Sequence, residues 1–204
     1  MRSGDLDGKP YAKYWNPEMA PMQNHVQQAL THGVEASELG FPINEANQLL
    51  EPGYLLLENG YTRLENGEVF VATLTKMPGV AGRMIDWWFG WHYMESQRYR
   101  LWHSYCHITN GAAKMIGDDA NLSDRKKYLD NPNFVTEYIG SVEKEITITF
   151  SESSTCFDVA RFQNTNISTA ICGTVGLQKI PVNIGRLIHL IRETEDGRRK
   201  TDVK

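Results

Sequence analysis

Two closely spaced Asn-Gly pairs, Asn59-Gly60 and Asn66-Gly67, limit the folds open to this chain more than any other feature of its sequence. Asn-Gly is the strongest short-range signal for a tight hairpin turn, because both residues tolerate the positive φ angles that such a turn requires. The pairs separate runs rich in strand-forming residues, at 54–58, 61–65 and 68–76. The sequence therefore predicts antiparallel strands in this region.

The second half of the chain contains four more strand-like runs, at residues 134–139, 145–150, 158–162 and 168–177. Within the second of these, Ile-Thr-Ile-Thr-Phe alternates strictly between apolar and polar residues. This alternation indicates a strand with one buried and one solvated face. Helices are predicted upstream of these runs, principally at residues 22–30 and 80–92.

The final element is predicted to be an amphipathic helix over residues 182–196. It follows Pro181, and it places Ile184, Leu187, Ile188 and Ile191 at helical spacing before Gly197. Because strands outnumber helices and a single helix finishes the pattern, the predicted fold class is α+β, with an antiparallel sheet curved around a long C-terminal helix. Such a sheet leaves a cavity between its concave face and the helix, which suits a small molecule.

Length and composition predict a single domain preceded by an arm. The 204 residues, 41% of them hydrophobic, are enough for one sizeable core. We expect residues 1–53 to form an N-terminal arm with short helices that pack on the core. Residues 54–197 are predicted to form the sheet-and-helix domain, and residues 198–204 a disordered basic tail.

Charge and hydropathy exclude several kinds of partner. The net charge is −4, with acidic and basic residues interspersed, so the chain lacks the basic stripe that nucleic acid requires. No apolar run resembles a signal peptide or a membrane span, which predicts a soluble, cytoplasmic protein with no membrane partner. The three cysteines are widely spaced and form no CxxC pair, which argues against a disulfide framework or a cysteine-based zinc site.

Residues 84–110, MIDWWFGWHYMESQRYRLWHSYCHITN, hold four of the five tryptophans and three of the six histidines. The tryptophans are expected in the core, because each ring removes a large apolar area from water. His107 falls on a predicted strand, where alternation would point it and Thr109 to one face. His92 and His103 are alternative acids or bases, or packed histidines with a ring nitrogen on a backbone carbonyl.

A candidate metal site begins with His189 and Glu193, which stand four residues apart on the predicted last helix. Both side chains would leave the same face of that helix, about one turn apart, where they could bind one divalent cation. On spacing alone, such a pair is more often a solvated surface pair. His107 and Glu137 are candidates for two further ligands, although His107 could be a core histidine and Glu137 could face water on an edge strand.

The runs Met-Ile-Asp-Trp-Trp-Phe-Gly-Trp-His and Glu-Ser-Gln-Arg-Tyr-Arg-Leu-Trp-His resemble the diacetylphloroglucinol hydrolase family, which includes phloretin hydrolase. The resemblance is strong over residues 77–110, is supported by Thr-Glu-Tyr-Ile-Gly at 136–140, and is thin before residue 54. It implies a zinc-dependent carbon–carbon hydrolase on a Bet v 1-like helix-grip scaffold. The implied zinc ligands are two histidines and two glutamates, His107, Glu137, His189 and Glu193. Tyr99 and Asn110 are implied to hold phenolic oxygens.

Two departures from the family pattern bear on the substrate. The family usually continues Trp-His with proline, whereas this chain has Trp102-His103-Ser104. The segment between Glu137 and the last helix is also markedly shorter than in the relatives, so a further tyrosine and histidine of the family pocket cannot be placed here. The four implied ligands remain.

The resulting hypothesis is a hydrolase that uses Zn2+ to cleave the bond between a phenolic ring and an acyl group by a retro-Claisen step. Its expected partner is a small phenolic ketone of the acylphloroglucinol or polyketide type, and His103 is a further candidate acid or base. Two alternatives stay open: a non-hydrolytic cyclase or isomerase, or a binding protein for a phenolic polyketide on the same scaffold. The aromatic N-terminal arm is compatible with a homodimer.

Overall fold

A computed structural model describes residues 4–194 and 199–200, and within them helices are combined with antiparallel strands, as the predicted α+β class requires. In chain order the helices and strands are α1 Asn24–His32, β1 Gly60–Arg63, β2 Val69–Ala72, α2 Gly82–Trp91, α3 Ser96–Trp102, β3 His107–Ala112, α4 Asp124–Tyr128, β4 Asn133–Ile139, β5 Val142–Ser151, β6 Ile167–Leu177, β7 Asn183–Glu193 and β8 Arg199–Lys200. Strands β1 and β2 form a two-stranded sheet. The other six form a sheet in the order β3-β4-β5-β6-β7-β8.

The hairpin predicted at Asn66-Gly67 is confirmed. Strands β1 and β2 pair antiparallel on either side of it, and Gly67 has a φ of 87°, in the region that glycine enters at little cost. The neighbouring pair Asn59-Gly60 does not form a turn between two strands, because Gly60 is itself the first residue of β1. Residues 54–58 form no strand in the described chain, and there Leu57 is buried in the core instead.

Strands β4 and β5 form the antiparallel hairpin that carries the alternating sequence. Ile146 and Phe150 are buried, whereas the threonines between them are only half-buried, as the alternation predicts. Gly140, with a φ of 64°, lies in the turn that joins the two strands. This hairpin is the part of the sheet against which the candidate site is built.

The helix predicted over residues 182–196 is wrong, because Asn183–Glu193 form strand β7. Leu187, Ile188, Leu190 and Ile191 are all buried, so apolar residues cover both faces of this strand. A run that is apolar on both faces contains helical spacings by coincidence, and β-branched isoleucines favour the extended backbone. The predicted helix-grip arrangement around a long C-terminal helix is therefore not confirmed in the described residues.

Two smaller predictions also need correction. Residues 158–162, predicted as a strand, lie mostly in a short 3-10 helix, Val159–Asn164, which begins after Asp158 accepts a hydrogen bond from the backbone N–H of Ala160. In the predicted disordered tail, Arg199 and Lys200 form β8 and pair antiparallel with β7. The other residues of that tail, 198 and 201–204, lie outside the described part of the chain.

Contacts divide the chain into two compact units. One unit holds Met1–Pro21, Asp86–Phe150 and Thr174–Gly185, and its core includes Tyr99, Val135 and Ile146. The other unit holds Met22–Ile85, Ser151–Gly173 and Arg186–Lys204 and has its own larger apolar cluster. The predicted domain boundary after residue 53 stays a prediction. No helix in the described ranges combines the length and apolar character needed to cross a membrane.

Candidate functional site

A β-bulge decides which residues share the candidate site. Strand β3 pairs with β4 so that His107 lies opposite Glu137, and after a register shift Asn110 lies opposite Val135. Directly paired residues point to the same face of a sheet, and an extra residue in one strand reverses its alternation. The bulge therefore brings His107, Glu137 and Asn110 to one face. The expectation that Thr109 shares a face with His107 is wrong for the same reason.

Helix α3 delivers Tyr99 to this face. Its hydroxyl donates a hydrogen bond of 2.5 Å to Oε2 of Glu137. Its ring lies parallel to the imidazole of His107, with centroids 3.7 Å apart and an interplanar angle of 4°. Only 6% of Tyr99 is exposed, because the ring also packs against Val135 and Ile146. Phenol, carboxylate and imidazole thus form one compact cluster.

The hydrogen bond at Nδ1 of His107 sets the chemistry of its other nitrogen. Nδ1 lies 2.9 Å from the backbone carbonyl oxygen of Tyr99. Since a carbonyl only accepts, Nδ1 carries a proton, and in the neutral form of the ring the lone pair is on Nε2. Nε2 lies 3.9 Å from Oε2 of Glu137. This nitrogen is therefore arranged to accept a proton or to bind a metal.

Burial, followed by the charge and the hydrogen bond of Glu137, raises the pKa of Tyr99 well above its ordinary value. Each of these effects disfavours the phenolate, because an anion is poorly solvated in the core and is repelled by a carboxylate. The Tyr99 hydroxyl consequently stays protonated at neutral pH. It can donate to Glu137 while its oxygen accepts a hydrogen bond from a ligand.

The side-chain oxygen of Asn110 is a buried acceptor that has no hydrogen-bond partner among the described residues. The residue is 8% exposed, and its Oδ1 has no hydrogen bond within the described chain. Its backbone is held by Ser96, whose hydroxyl oxygen accepts from the Asn110 N–H at 3.2 Å. An unsatisfied buried amide oxygen costs about 1–3 kcal/mol, so it marks a place where a ligand hydroxyl would be stabilised. Ser96 was not predicted, since no local motif connects it to Asn110.

The two other histidines near this face are tied to the backbone. His103 accepts a hydrogen bond at Nδ1 from the Cys106 N–H, at 3.0 Å, and its ring centroid is 5.7 Å from that of His107. His92 is 5% exposed, donates from Nδ1 to the Trp88 carbonyl at 2.8 Å, and stacks on the Trp88 ring. The packed arrangement predicted as one alternative for His92 is thus confirmed.

Two of the tryptophans expected in the core lie at the surface. Trp87 is 44% exposed and Trp102 is 52% exposed. Trp87 stacks on Trp91 with centroids 5.0 Å apart, and Trp88 contacts Trp102 at 5.5 Å. The rings therefore stabilise one another beside the site rather than filling the interior, an arrangement that aromatic pairs favour beyond simple burial.

An ion-pair network anchors the start of α3. Glu95 pairs with Arg98, with Nε 3.0 Å from Oε1, and it also accepts from Lys9 and from the Tyr11 hydroxyl in the N-terminal segment. Burial opposes ionisation of Glu95, but the hydrogen bonds from Lys9 and Tyr11 and the charge of Arg98 outweigh it and hold the Glu95 pKa below its ordinary value. Burial and then Glu95 raise the pKa of Tyr11 to about 12. This network fixes the helix that carries Tyr99.

The four predicted zinc ligands lie on three strands, β3, β4 and β7. His189 and Glu193 lie on β7, so they are separated by about 13 Å along a strand and not by one turn of the predicted helix. The structure does bring His107 and Glu137 together. Across the described ranges, however, no group of three or more His, Cys, Asp or Glu side chains is placed to hold a metal. The four-ligand site implied by the resemblance stays a prediction for this chain.

Comparison with known proteins gives a consistent family assignment. A model of the DAPG hydrolase PhiG domain matches residues 41–201. A 2,4-diacetylphloroglucinol hydrolase of Pseudomonas protegens is 31% identical over 195 residues, which are 93% of this chain and 63% of that protein. An enzyme of the same name from Pseudomonas sp is 30% identical over 93% of this chain and 66% of its own length. Phloretin hydrolase of Eubacterium ramulus is 35% identical over 133 residues, 64% of this chain and 48% of that enzyme. The chain thus spans less than two thirds of the length of each of these relatives.

Proposed function

The chain belongs to the DAPG hydrolase PhiG domain family, and from this membership and its site we propose that it hydrolyses the carbon–carbon bond between a phenolic ring and an acyl group. The names of its relatives, 2,4-diacetylphloroglucinol hydrolase and phloretin hydrolase, suggest an acylphloroglucinol-like substrate. The observation that carries the proposal is the cluster of Tyr99, Glu137 and His107 beside the unpaired Oδ1 of Asn110. This cluster combines a base, the imidazole of His107, with two hydrogen-bond acceptors for phenolic hydroxyls, the oxygens of Tyr99 and Asn110.

The reaction adds one water molecule across the bond that breaks. The hydroxide part forms a bond to the acyl carbon, which leaves as a carboxylic acid. The proton goes to the ring carbon, which takes back the electron pair of the broken bond. Ring hydroxyls make this feasible, because the protonated ring is a cyclohexadienone and its bond to the acyl group is then that of a β-diketone.

Each residue of the cluster has a role that follows from its hydrogen bonds. The ring carbon takes its proton from a ring hydroxyl when the cyclohexadienone forms. The lone pair on Nε2 of His107 then accepts the proton of the attacking water and returns it to the ring oxygen as the phenol re-forms. Glu137, 3.9 Å away, stabilises the imidazolium that forms in between. Tyr99 and Asn110 bind ring hydroxyls through their oxygens, and the Tyr99–Glu137 hydrogen bond fixes the orientation of the phenol. His103 is a further candidate acid or base at the edge of this cluster.

Zinc binding remains a prediction for this chain. A zinc ion would act as a Lewis acid on the acyl oxygen or on water. His107 and Glu137 could contribute two of its ligands. In the neutral form of His107 its Nε2 carries a lone pair, and this atom lies 3.9 Å from Oε2 of Glu137. The two further ligands stay the predicted His189 and Glu193.

The direct test is to incubate the purified protein with 2,4-diacetylphloroglucinol and with phloretin, and to measure carboxylic acid and deacylated phenol by chromatography. Glu137→Gln is compared with Glu143→Gln, an exposed glutamate on the same hairpin. We expect equimolar acid and phenol from the parent and the control, and a loss of about 100-fold or more in Glu137→Gln. Consumption of the ketone without acid would instead identify a cyclase or isomerase, and binding without consumption would identify a carrier.

A further inference from the structure

A second concave region lies on the opposite face of the same hairpin. Ile146 and Ile148 of β5 point to the face that holds Tyr99. Thr147 and Thr149 alternate with them, so they point to the other face. These two threonines, together with Thr174 of β6, line a pocket of about 350 Å³. The pocket is therefore separated from the Tyr99 cluster by the sheet itself.

The lining of this pocket is divided between hydroxyls and an apolar wall. The side chains of Thr147, Thr149 and Asn183 have no hydrogen-bond partner among the described residues, so they are available to a ligand. The segment that joins β6 to β7 supplies the wall, through Ile180 and Val182. These two side chains are 53% and 50% exposed, so their apolar surface is accessible to a ligand.

Gly176 keeps the floor of the pocket open. A Cβ at this position would lie 3.2 Å from the Val182 carbonyl oxygen and 3.3 Å from Oδ1 of Asn183. Both distances are shorter than ordinary van der Waals contact, so a larger side chain would project into the space beside the threonine hydroxyls. The absence of a side chain at 176 thus preserves both the volume and the access to Asn183.

The charge of the lining limits the ligand to a neutral molecule. No lining residue of this pocket carries an ionisable side chain. The nearby Lys179 and Glu145 form an ion pair with each other. A charged ligand would lose its hydrating water in this pocket without gaining an opposite charge from the lining. The hydroxyl groups of a neutral ligand would instead replace their hydrogen bonds to water with hydrogen bonds to the threonines and the Asn183 amide.

We propose that this pocket, formed around Thr147, Thr149, Thr174 and Gly176, is a second ligand site for a small, uncharged, polyhydroxylated aromatic ring. Its volume is near the lower end of the roughly 300–1,000 Å³ of small-molecule pockets, which suits a single ring. The ring edge presents hydroxyls to the threonines and Asn183, and one ring face lies on the aliphatic wall. This inference stands independently of the proposed hydrolysis.

The test uses 1,3,5-trihydroxybenzene as the probe and follows backbone amide signals of the full chain by NMR during titration. We expect saturable shifts at Thr147 and Gly176 that persist in Tyr99→Phe, since that variant alters only the opposite face. Gly176→Val should weaken this binding at least about tenfold, and Thr147→Val, which keeps the volume but removes one hydroxyl, should weaken it several-fold. Gly185→Val is the matched control, because nothing lies within 4 Å of a Cβ at that position.

Folding of each variant is checked by thermal unfolding and by the dispersion of its amide signals. Thr147→Val preserves side-chain volume, so it tests the site even if Gly176→Val does not fold. The proposal is overturned if the probe shifts only amides around Tyr99 and Glu137, or if Gly176→Val and Thr147→Val bind it as the parent does. Equal weakening in Gly185→Val would also overturn it, because the effect would then not be local to the pocket.

Discussion

Replacing Tyr99 with phenylalanine removes the one atom that links α3 to the carboxylate on β4. The aromatic ring keeps its stack on His107 and its packing in the core, so the substitution isolates the hydroxyl. Glu137 loses its 2.5 Å hydrogen bond, and a phenolic substrate loses one of the oxygens proposed to hold it. The variant therefore separates the chemical role of Tyr99 from its role in packing.

The magnitudes follow from the nature of this hydrogen bond. A hydrogen bond to a charged group contributes about 1.5–3 kcal/mol to the free energy of unfolding, so Tyr99→Phe should be destabilised by roughly that amount. Activity should fall further than stability does. Loss of a positioned group at the reacting centre lowers kcat/KM by about 100-fold or more, although the protein remains folded.

The matched control is Tyr93→Phe. Tyr93 is fully buried, and its hydroxyl also donates a hydrogen bond, at 3.0 Å to the backbone carbonyl of Lys127, but it belongs to no part of the proposed site. Both variants are unfolded in urea and assayed for acid release at saturating and limiting ketone. Tyr93→Phe should lose about 1 kcal/mol and keep its turnover. If Tyr99→Phe retained the activity of Tyr93→Phe, Tyr99 would have only a structural role and the proposed site would be wrong.

Three further predictions concern stability, pH and metal. Asn131→Ala should lose about 3 kcal/mol in urea unfolding, because this buried amide bonds the backbone of both Lys114 and Lys127; an unchanged midpoint would contradict this. Since the Glu95 pKa is lowered from 4.5, its contribution to stability is present above pH 4.5 and is lost as pH falls through the folded-state value. A melting-temperature profile between about pH 7 and 3 should therefore be flatter below pH 4.5 in Glu95→Gln than in the parent, and identical slopes would refute the linkage. Any zinc that the chain binds, measured by elemental analysis after loading, should fall in His107→Ala and in Glu137→Ala; an unchanged zinc content in both variants would contradict their proposed role as ligands.

Local signals in the sequence were sufficient for much of the fold. The Asn66-Gly67 hairpin, the helix predicted at residues 22–30 and found at Asn24–His32, and the alternation through Ile146 and Phe150 each depend on residues adjacent along the chain. The error at β7 has a different origin. A strand covered on both faces acquires its burial from neighbouring strands, and its own sequence does not distinguish it from a buried helix.

The residues of the candidate site likewise differ in whether a local sequence signal or long-range packing places them. His107 and Glu137 were identifiable because each interrupts an otherwise strand-like run, and the structure places them opposite each other. The bulge that brings Asn110 to the same face depends on how β3 pairs with β4. Glycine is a common sequence signal for a bulge, and residues 106–110 contain none. The Tyr99–Glu137 contact joins residues 38 positions apart, so it follows from the packing of α3 and not from a motif.

The most direct measurement of the central claim is the isotopic composition of the products formed in water enriched in oxygen-18. The parent protein is supplied with 2,4-diacetylphloroglucinol, with Glu137→Gln and an enzyme-free sample in parallel, and the products are analysed by mass spectrometry. Hydrolysis predicts an enzyme-dependent carboxylic acid that carries solvent oxygen, together with an equal amount of phenol that has lost one acyl group. A product of unchanged mass, or the same acid yield from Glu137→Gln as from the parent, would contradict the account.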